Sequence, residues 1–439
     1  MSARDLAIFL TNDLAAMTRG RAFPAADLDN RRRSGVGWVP ANLALTPFGV
    51  IAGDSPFGPT GDLRLIPDAE TEPVTLQGFD GRPDATALLC DVRETDGRDW
   101  GGCVRTLLKH AVAELKRETG LDLVAAFEHE FRLTGGPAIA PQAFSLQDFR
   151  AAQPFCGALM EAMATAGLGP EMILPEYGPG QFEVTCEPAG ALAAADRAVL
   201  IRDVARDVAR QFGLAASFAP ILDPAAVGNG VHVHLSLVAA DGANATADLS
   251  RPAEISEVAG RFVAGVLRHL PALCAITAPS VISYLRLTPH RWSAGFTAFG
   301  HRNREAALRV CPTIDLPGRD RAKQIHLEFR AADACANPHL VLALLVRAGL
   351  EGIRRALPQP EAVAGDPADL APAEAERLGV RRLPDSLPAA LAALQADPVA
   401  LGWLPEPMRG AYFAMKRAEQ AMVDGLAPAA QCARYGAVY

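Results

Sequence analysis

Hydrophobic and polar positions follow two different rhythms along this chain, and the switches between them outline a fold. Over Val104–Thr119 the apolar residues Leu107, Leu108, Ala111, Val112 and Leu115 recur at helical spacing until Gly120 stops the run, which predicts a helix. The same spacing predicts helices over residues 194–212, with Val204 and Val208 on one face and Gly213 as the stop, and over residues 339–357. Ser386-Leu387-Pro388 opens a further Ala/Leu helix, because a Ser side chain caps the free N–H groups of a first turn. Up to about Asp91 the chain is instead rich in Gly, Pro and Asp. Its short apolar runs at residues 49–51, 63–67 and 87–92 read as small strands and turns. Residues 358–375 are rich in Ala, Pro and acid and read as a surface excursion, and no repeat of about 20–50 residues is visible. The alternation predicts an α+β protein in two parts: a small N-terminal β domain, residues 1–98, and a large mixed domain, residues 99–439.

The 439 residues are 50% hydrophobic, enough to bury a large core. The balance of 42 basic and 50 acidic residues lacks the basic footprint of a non-specific nucleic-acid binder. Eight scattered cysteines form no CxxC pair, so neither a structural zinc site nor a redox dithiol is expected. No apolar run of about 18 residues stands out, and the opening stretch is too short for a signal peptide. The expectation is a cytoplasmic protein with neither nucleic acid nor membrane as partner.

The chemistry-bearing residues fall on the segments that read as strands. In the apolar run 124–133, Glu128 and Glu130 are two apart and share a face, where two like charges are unfavourable without a cation. A solvent-facing stripe on an edge strand would look the same. Glu176 and Glu183 flank Gly178-Pro179-Gly180, a break that lets a turn bring both to one pocket. In Gly228-Asn229-Gly230-Val231-His232-Val233-His234, the two histidines share a face, a common metal-binding spacing. His326, Glu328 and Arg330 repeat the pattern, and Arg286, Arg302, Arg304 and Arg309 add an arginine cluster. Carboxylates, a His and arginines together suit handling of a polyphosphate through Mg²⁺ or Mn²⁺. No Walker loop or GxGxxG is present.

The order of these motifs (ExE, E…GPGQ.E, a Gly-rich loop into HVHLSL, SY.RL.P, NRE…LR, then EFR and ANP) resembles the glutamine synthetase superfamily from about Arg19 to at least Ile353. Gly61-Asp62-Leu63-Arg64-Leu65-Ile66-Pro67-Asp68 fits that family's N-terminal domain. The resemblance implies an N-terminal β-grasp domain and a catalytic domain with a curved antiparallel sheet and helices. It implies ATP as co-substrate, two or three divalent ions, and a homo-oligomer, most often a dodecamer of two hexameric rings, whose sites are completed by the neighbour's N-terminal domain. Matched motif by motif, Glu130, Glu176 and Glu183 would hold one metal, and Glu128, His232 and Glu328 the other. Arg286 and Gly228 would border the substrate carboxylate, Arg304, Arg309 and Arg330 the phosphates, and His234, Lys323 and His326 the nucleotide. Asp54 or Asp62 would match the N-terminal loop aspartate.

The chain departs from the ammonia-using members in three places. Trp292 stands where they carry a loop glutamate that accepts a proton from ammonium, and an indole cannot take that proton although its face can hold an alkyl-ammonium. Val227 replaces an Asn before the Gly-rich loop, and His326 replaces an arginine. The expectation is a ligase that forms a γ-glutamylamide from glutamate and a small primary amine, with ammonia or a different acid as the alternative substrates. A non-catalytic ring protein would show eroded metal ligands, and all six are present.

Overall fold

The structure is a computed structural model and describes residues 5–69, 71–79, 81–136, 143–290 and 293–439. Its strands assemble into two sheets. In the first, Thr18–Pro24, Leu6–Asn12, Ala85–Glu94, Leu63–Pro67 and Val36–Trp38 lie side by side, and Val74–Leu76 also pairs with Ala85–Glu94. Leu6–Asn12 runs parallel to Ala85–Glu94. The runs predicted at 63–67 and 87–92 are thus strands, whereas residues 49–51 make only the isolated bridge Leu45↔Ile51. Val50 and Ile51 are exposed, so nothing buries a face for a strand there.

The second sheet has nine strands. Its main path is Phe299–His301, Leu308–Val310, Leu327–Phe329, Val231–Val238, Asp122–Thr134, Gln181–Cys186 and Pro170–Pro175. Pairing is antiparallel throughout, save for the parallel pair Phe299–His301 and Leu308–Val310, so the sheet is mixed and not purely antiparallel as expected. Along Asp122–Thr134, strict alternation buries Leu123, Ala125, Phe127, His129 and Phe131 under the helix Ala191–Gln211. The opposite face carries Glu128 and Glu130.

The predicted helices appear as Val104–Thr119, Ala191–Gln211, Pro338–Arg354 and Leu387–Ala396, the last capped by Ser386 Oγ accepting from Ala389 N at 3.4 Å. Residues 358–375 hold a single 3₁₀ turn, Pro367–Asp369, and the start of the helix Pro372–Leu378. Two long helices, Leu146–Thr165 and Glu257–Thr277, were not legible in the sequence. Pro154 and Pro271 sit inside them and read as breakers. Glu257–Thr277 has the length and apolar composition of a membrane span, but it is a core helix buried against Pro338–Arg354 and Leu387–Ala396. A Cβ added at Gly265 would come within 2.1 Å of the Ala348 carbonyl oxygen, so only a residue without one lets the two backbones meet.

One hydrophobic core runs continuously from the first sheet into the second. Arg105, almost fully buried, ties the first sheet to the helix Ala191–Gln211 that covers the second: Nη1 bonds Asp91 at 2.9 Å, and Nη2 bonds Asp196 at 3.0 Å and Thr71 at 3.3 Å.

Candidate active site

Strand register gathers the charged residues into one patch. Antiparallel pairing sets His232 opposite Glu128 and Glu183 opposite Glu130. His234 lies opposite Glu328, which in turn lies opposite Arg309. Because side chains alternate, a residue placed opposite another shares its face, and the whole acidic and basic set projects to one side of the sheet. There it borders a cavity of about 800 Å³ lined by Glu128, Glu130, Glu176, Glu183, Gly228, His232, Arg286, Arg304, Arg309 and Arg330. Glu176 reaches it through the turn after Pro170–Pro175, closed by Glu176 N donating to the Gln181 carbonyl at 2.8 Å. Arg286 sits on a helical turn, Ser283–Arg286, and not on a strand as its segment suggested.

The donor atoms of Glu128, His232 and Glu328 lie within 4.8 Å of one another, and Glu128 Oε1 is 2.6 Å from His232 Nδ1. Glu328 is fully buried and bonded to both Arg309 and Arg330. Burial alone would raise its pKa, but Arg330, His232, His234 and Arg309 together hold it well below the usual carboxylate range. The other carboxylates behave in the opposite way. Burial and the Glu130 charge push Glu176 up to about 7. Burial and the charges of Glu128, Glu130 and Glu176 raise Glu183 strongly, and it hydrogen-bonds Glu128. Carboxyl groups crowded this closely, with an imidazole beside them, have the donor chemistry of a hard divalent cation site.

The Gly-rich loop is fastened to this cluster. Glu130 Oε2 accepts from Gly230 N at 2.9 Å and from Gln181 Nε2 at 3.2 Å, and the same amide reaches the Gly228 carbonyl at 2.9 Å and Asn229 Oδ1 at 3.0 Å. A Cβ at Gly228 would stand 2.6 Å from Arg286 Cγ. Arg286 is buried and donates from Nη2 to the Ala332 carbonyl at 2.7 Å, while its Nε has no protein partner among the described residues.

Other expected site residues lie elsewhere. Asp54 is exposed, bonded to Arg417 (Nε–Oδ2 3.0 Å), and lines a separate groove with Glu406 and Arg409; Asp62 is exposed too. Lys323 is exposed on the short turn Ala322–Gln324 and is not among the cavity-lining residues. His234 and His326 pack beside the cluster as tilted rings with centroids 5.1 Å apart, and His234 Nε2 is 3.5 Å from Glu128 Oε2. Trp292 lies outside the described residues. Two groups were missed. Phe144 and Tyr177 form an edge-to-face pair on the cavity wall at 5.2 Å, and Phe144 comes from a stretch with no periodicity to mark it. Cys311, whose Sγ donates to Glu328 Oε2 at 3.1 Å, follows Arg309 by two residues, a spacing that could have flagged it.

Comparisons with known proteins identify the family. Residues 2–100 match the glutamine synthetase N-terminal domain, and residues 101–435 match the glutamine synthetase catalytic domain. Gamma-glutamylpolyamine synthetase GlnA3 of Streptomyces coelicolor is 39% identical over 424 residues, 94% of this chain and 89% of that protein. Glutamine synthetase of Thermus thermophilus is 33% identical over 77% of this chain and 76% of its own length. A crystal structure described as a novel glutamine synthase homolog superposes with TM-score 0.91 at 47% identity, covering 100% of this chain and 99% of that one. A GmaS–ADP complex superposes with TM-score 0.81 at 26% identity, covering 96% and 94%. The chain belongs to the glutamine synthetase family, whose members use ATP and divalent metals, and it is an ATP-dependent carbon–nitrogen ligase.

Proposed function

We propose that this ligase joins glutamate to a small organic primary amine, giving a γ-glutamylamide through γ-glutamyl phosphate. The observation that carries this reading is the cavity wall: Phe144, Leu174, Tyr177 and Val227 line the same space as the four carboxylates. Ammonium needs no apolar wall, whereas the alkyl body of an amine gains from one, and aromatic faces also hold cations. Trp292, in place of the loop glutamate of ammonia-using members, points the same way. So does the similarity to a gamma-glutamylpolyamine synthetase.

In this reading Arg286, buried with an unpartnered Nε, grips the α-carboxylate of glutamate. A γ-carboxylate oxygen attacks the terminal phosphorus of ATP and ADP departs, leaving the acyl phosphate. The amine nitrogen then attacks the acyl carbon and inorganic phosphate leaves. Arg304, Arg309 and Arg330 border the cavity and stabilise the charge on the transferred phosphoryl group. Glu130, Glu176 and Glu183 would hold one divalent ion and Glu128, His232 and Glu328 a second. Mg²⁺ or Mn²⁺ there would supply charge neutralisation at the phosphates.

The domain division at residues 1–98 and 99–439 belongs to the same reading, as does a cytoplasmic dodecamer of two hexameric rings. Among the described residues, no residue before Glu128 lines the cavity, and Asp54 faces a different groove, which supports a neighbouring subunit as the source of an N-terminal contribution. Light scattering on the purified protein tests the ring.

The deciding experiment is phosphate release from ATP with glutamate and Mg²⁺ against ammonia, methylamine, ethylamine, ethanolamine and putrescine. A much higher kcat/KM for an organic amine is expected. Preference for ammonia would make this a glutamine synthetase, and silence with every amine would shift the search to the acid.

A further inference from the structure

Beside the carboxylate cluster lies a second group of donors with different chemistry. His234, Cys311 and His326 each offer a ligand atom within 4.8 Å of the others. They come from three adjacent strands or strand ends. His234 sits on Val231–Val238, Cys311 directly follows Leu308–Val310, and His326 directly precedes Leu327–Phe329. Cys311 N donates to the His326 carbonyl at 3.2 Å, so the two side chains are held by the ladder itself.

His326 is set in the form a metal ligand needs. Its Nδ1–H donates to the Gln324 carbonyl at 2.7 Å; since a carbonyl can only accept, Nδ1 is taken up as a donor and Nε2 is the nitrogen left to bind an ion. Two imidazoles and a thiol form a borderline-soft set that suits zinc and is a poor match for Mg²⁺. The thiol is buried, while about a quarter of the His234 side chain, 23%, is exposed and gives an ion access. Three protein donors leave one position open, as in a tetrahedral site with an exchangeable ligand.

We propose that His234, Cys311 and His326 form a zinc-binding site through which zinc inhibits the ligase. Binding replaces the Cys311 S–H bond by a Zn–S bond and releases that proton to solvent. Inhibition follows from the shared wall. Cys311 Sγ now donates to Glu328 Oε2, and His234 Nε2 faces Glu128 Oε2 at 3.5 Å, so zinc on these groups draws both carboxylates away from the Mg²⁺ side of the patch.

The test uses the full chain in its native assembly, saturated with Mg²⁺ and titrated with Co²⁺ as a spectroscopic probe. The expected result is a thiolate-to-cobalt charge-transfer band that saturates near about one equivalent per chain and is bleached by Zn²⁺. Cys311→Ser abolishes the band and raises the zinc concentration for half-inhibition by about tenfold or more, each protein being compared with its own zinc-free rate. Should the Ser variant fail to fold, Cys311→Ala serves in its place. Absence of a thiolate band in the wild-type protein overturns the proposal. So does zinc inhibition of the Cys311 variant at the wild-type concentration, which would place zinc on the carboxylates alone.

Discussion

Glu328 is buried and bonded to the guanidinium groups of both Arg309 and Arg330, so replacing it removes a carboxylate partner from each. Glu328→Ala is expected to lower stability by about 3–5 kcal/mol, the cost typical of breaking a buried pair, measured by denaturant unfolding. Glu328→Gln preserves shape and some hydrogen bonding, so it should cost less stability yet still abolish ligase activity. Glu176 gives a prediction in pH. Its folded pKa, about 7, lies above the ordinary value of 4.5, so the metal-free protein binds this proton more tightly folded than unfolded. The stability tied to it is complete below about pH 4.5 and is lost as pH rises toward 7. A divalent cation removes that loss by favouring the ionised form. The rise in Tm produced by Mg²⁺ over EDTA is therefore expected to grow from pH 5 to pH 7.5. A rise that stayed constant across this range would contradict the assignment of Glu176 as a metal ligand.

Elements carry a different kind of constraint, because here a main-chain position decides where a side chain can lie. Gly228→Ala puts a Cβ 2.6 Å from Arg286 Cγ and 2.7 Å from the Pro220 carbonyl oxygen. Displacing the arginine by part of an ångström is expected to lower kcat/KM for glutamate by about 10- to 100-fold, and the clash with the backbone oxygen is expected to lower Tm as well. Arg105 is the corresponding element-scale pin of the fold. Truncating it to Ala leaves Asp196 and the fully buried Asp91 short of a partner, although Lys109 still reaches Asp91 at 2.6 Å. A loss of about 3 kcal/mol in unfolding free energy is expected, with the site chemistry intact in the folded fraction.

What was legible in the sequence divides along the same line. Alternation put Glu128 with Glu130, His232 with His234, and Glu328 with Arg330 on one face strand by strand, because period-2 geometry is local, and strand register then brought those faces together. Helices whose apolar stripe ran uninterrupted, such as Val104–Thr119, were equally plain. Pro154 and Pro271 concealed two long helices, since tertiary packing of a buried face offsets a lost backbone bond that a local reading counts as fatal. The side-chain wall of Phe144 and Tyr177 and the approach of Cys311 to His234 depend on which distant segments meet, and sequence spacing does not encode that.

At the scale of the whole molecule, the two sheets share one core, so the N-terminal region and the catalytic sheet are expected to unfold in a single transition. Calorimetry on the metal-free protein checks this, and two resolved transitions would contradict it. The exposed apolar pair Val50 and Ile51 lies outside that core.

The cavity takes all its described walls from Glu128 onward, while Asp54 looks into another groove. A ring built from such chains divides each catalytic act between two polypeptides, so damage to one half of a site is not inherited by the other half of the same chain. Asp54→Asn and Glu183→Gln proteins, each inactive alone, should therefore recover about a quarter of wild-type activity when dissociated, mixed in equal amounts and reassembled, because random neighbours restore that fraction of intact sites.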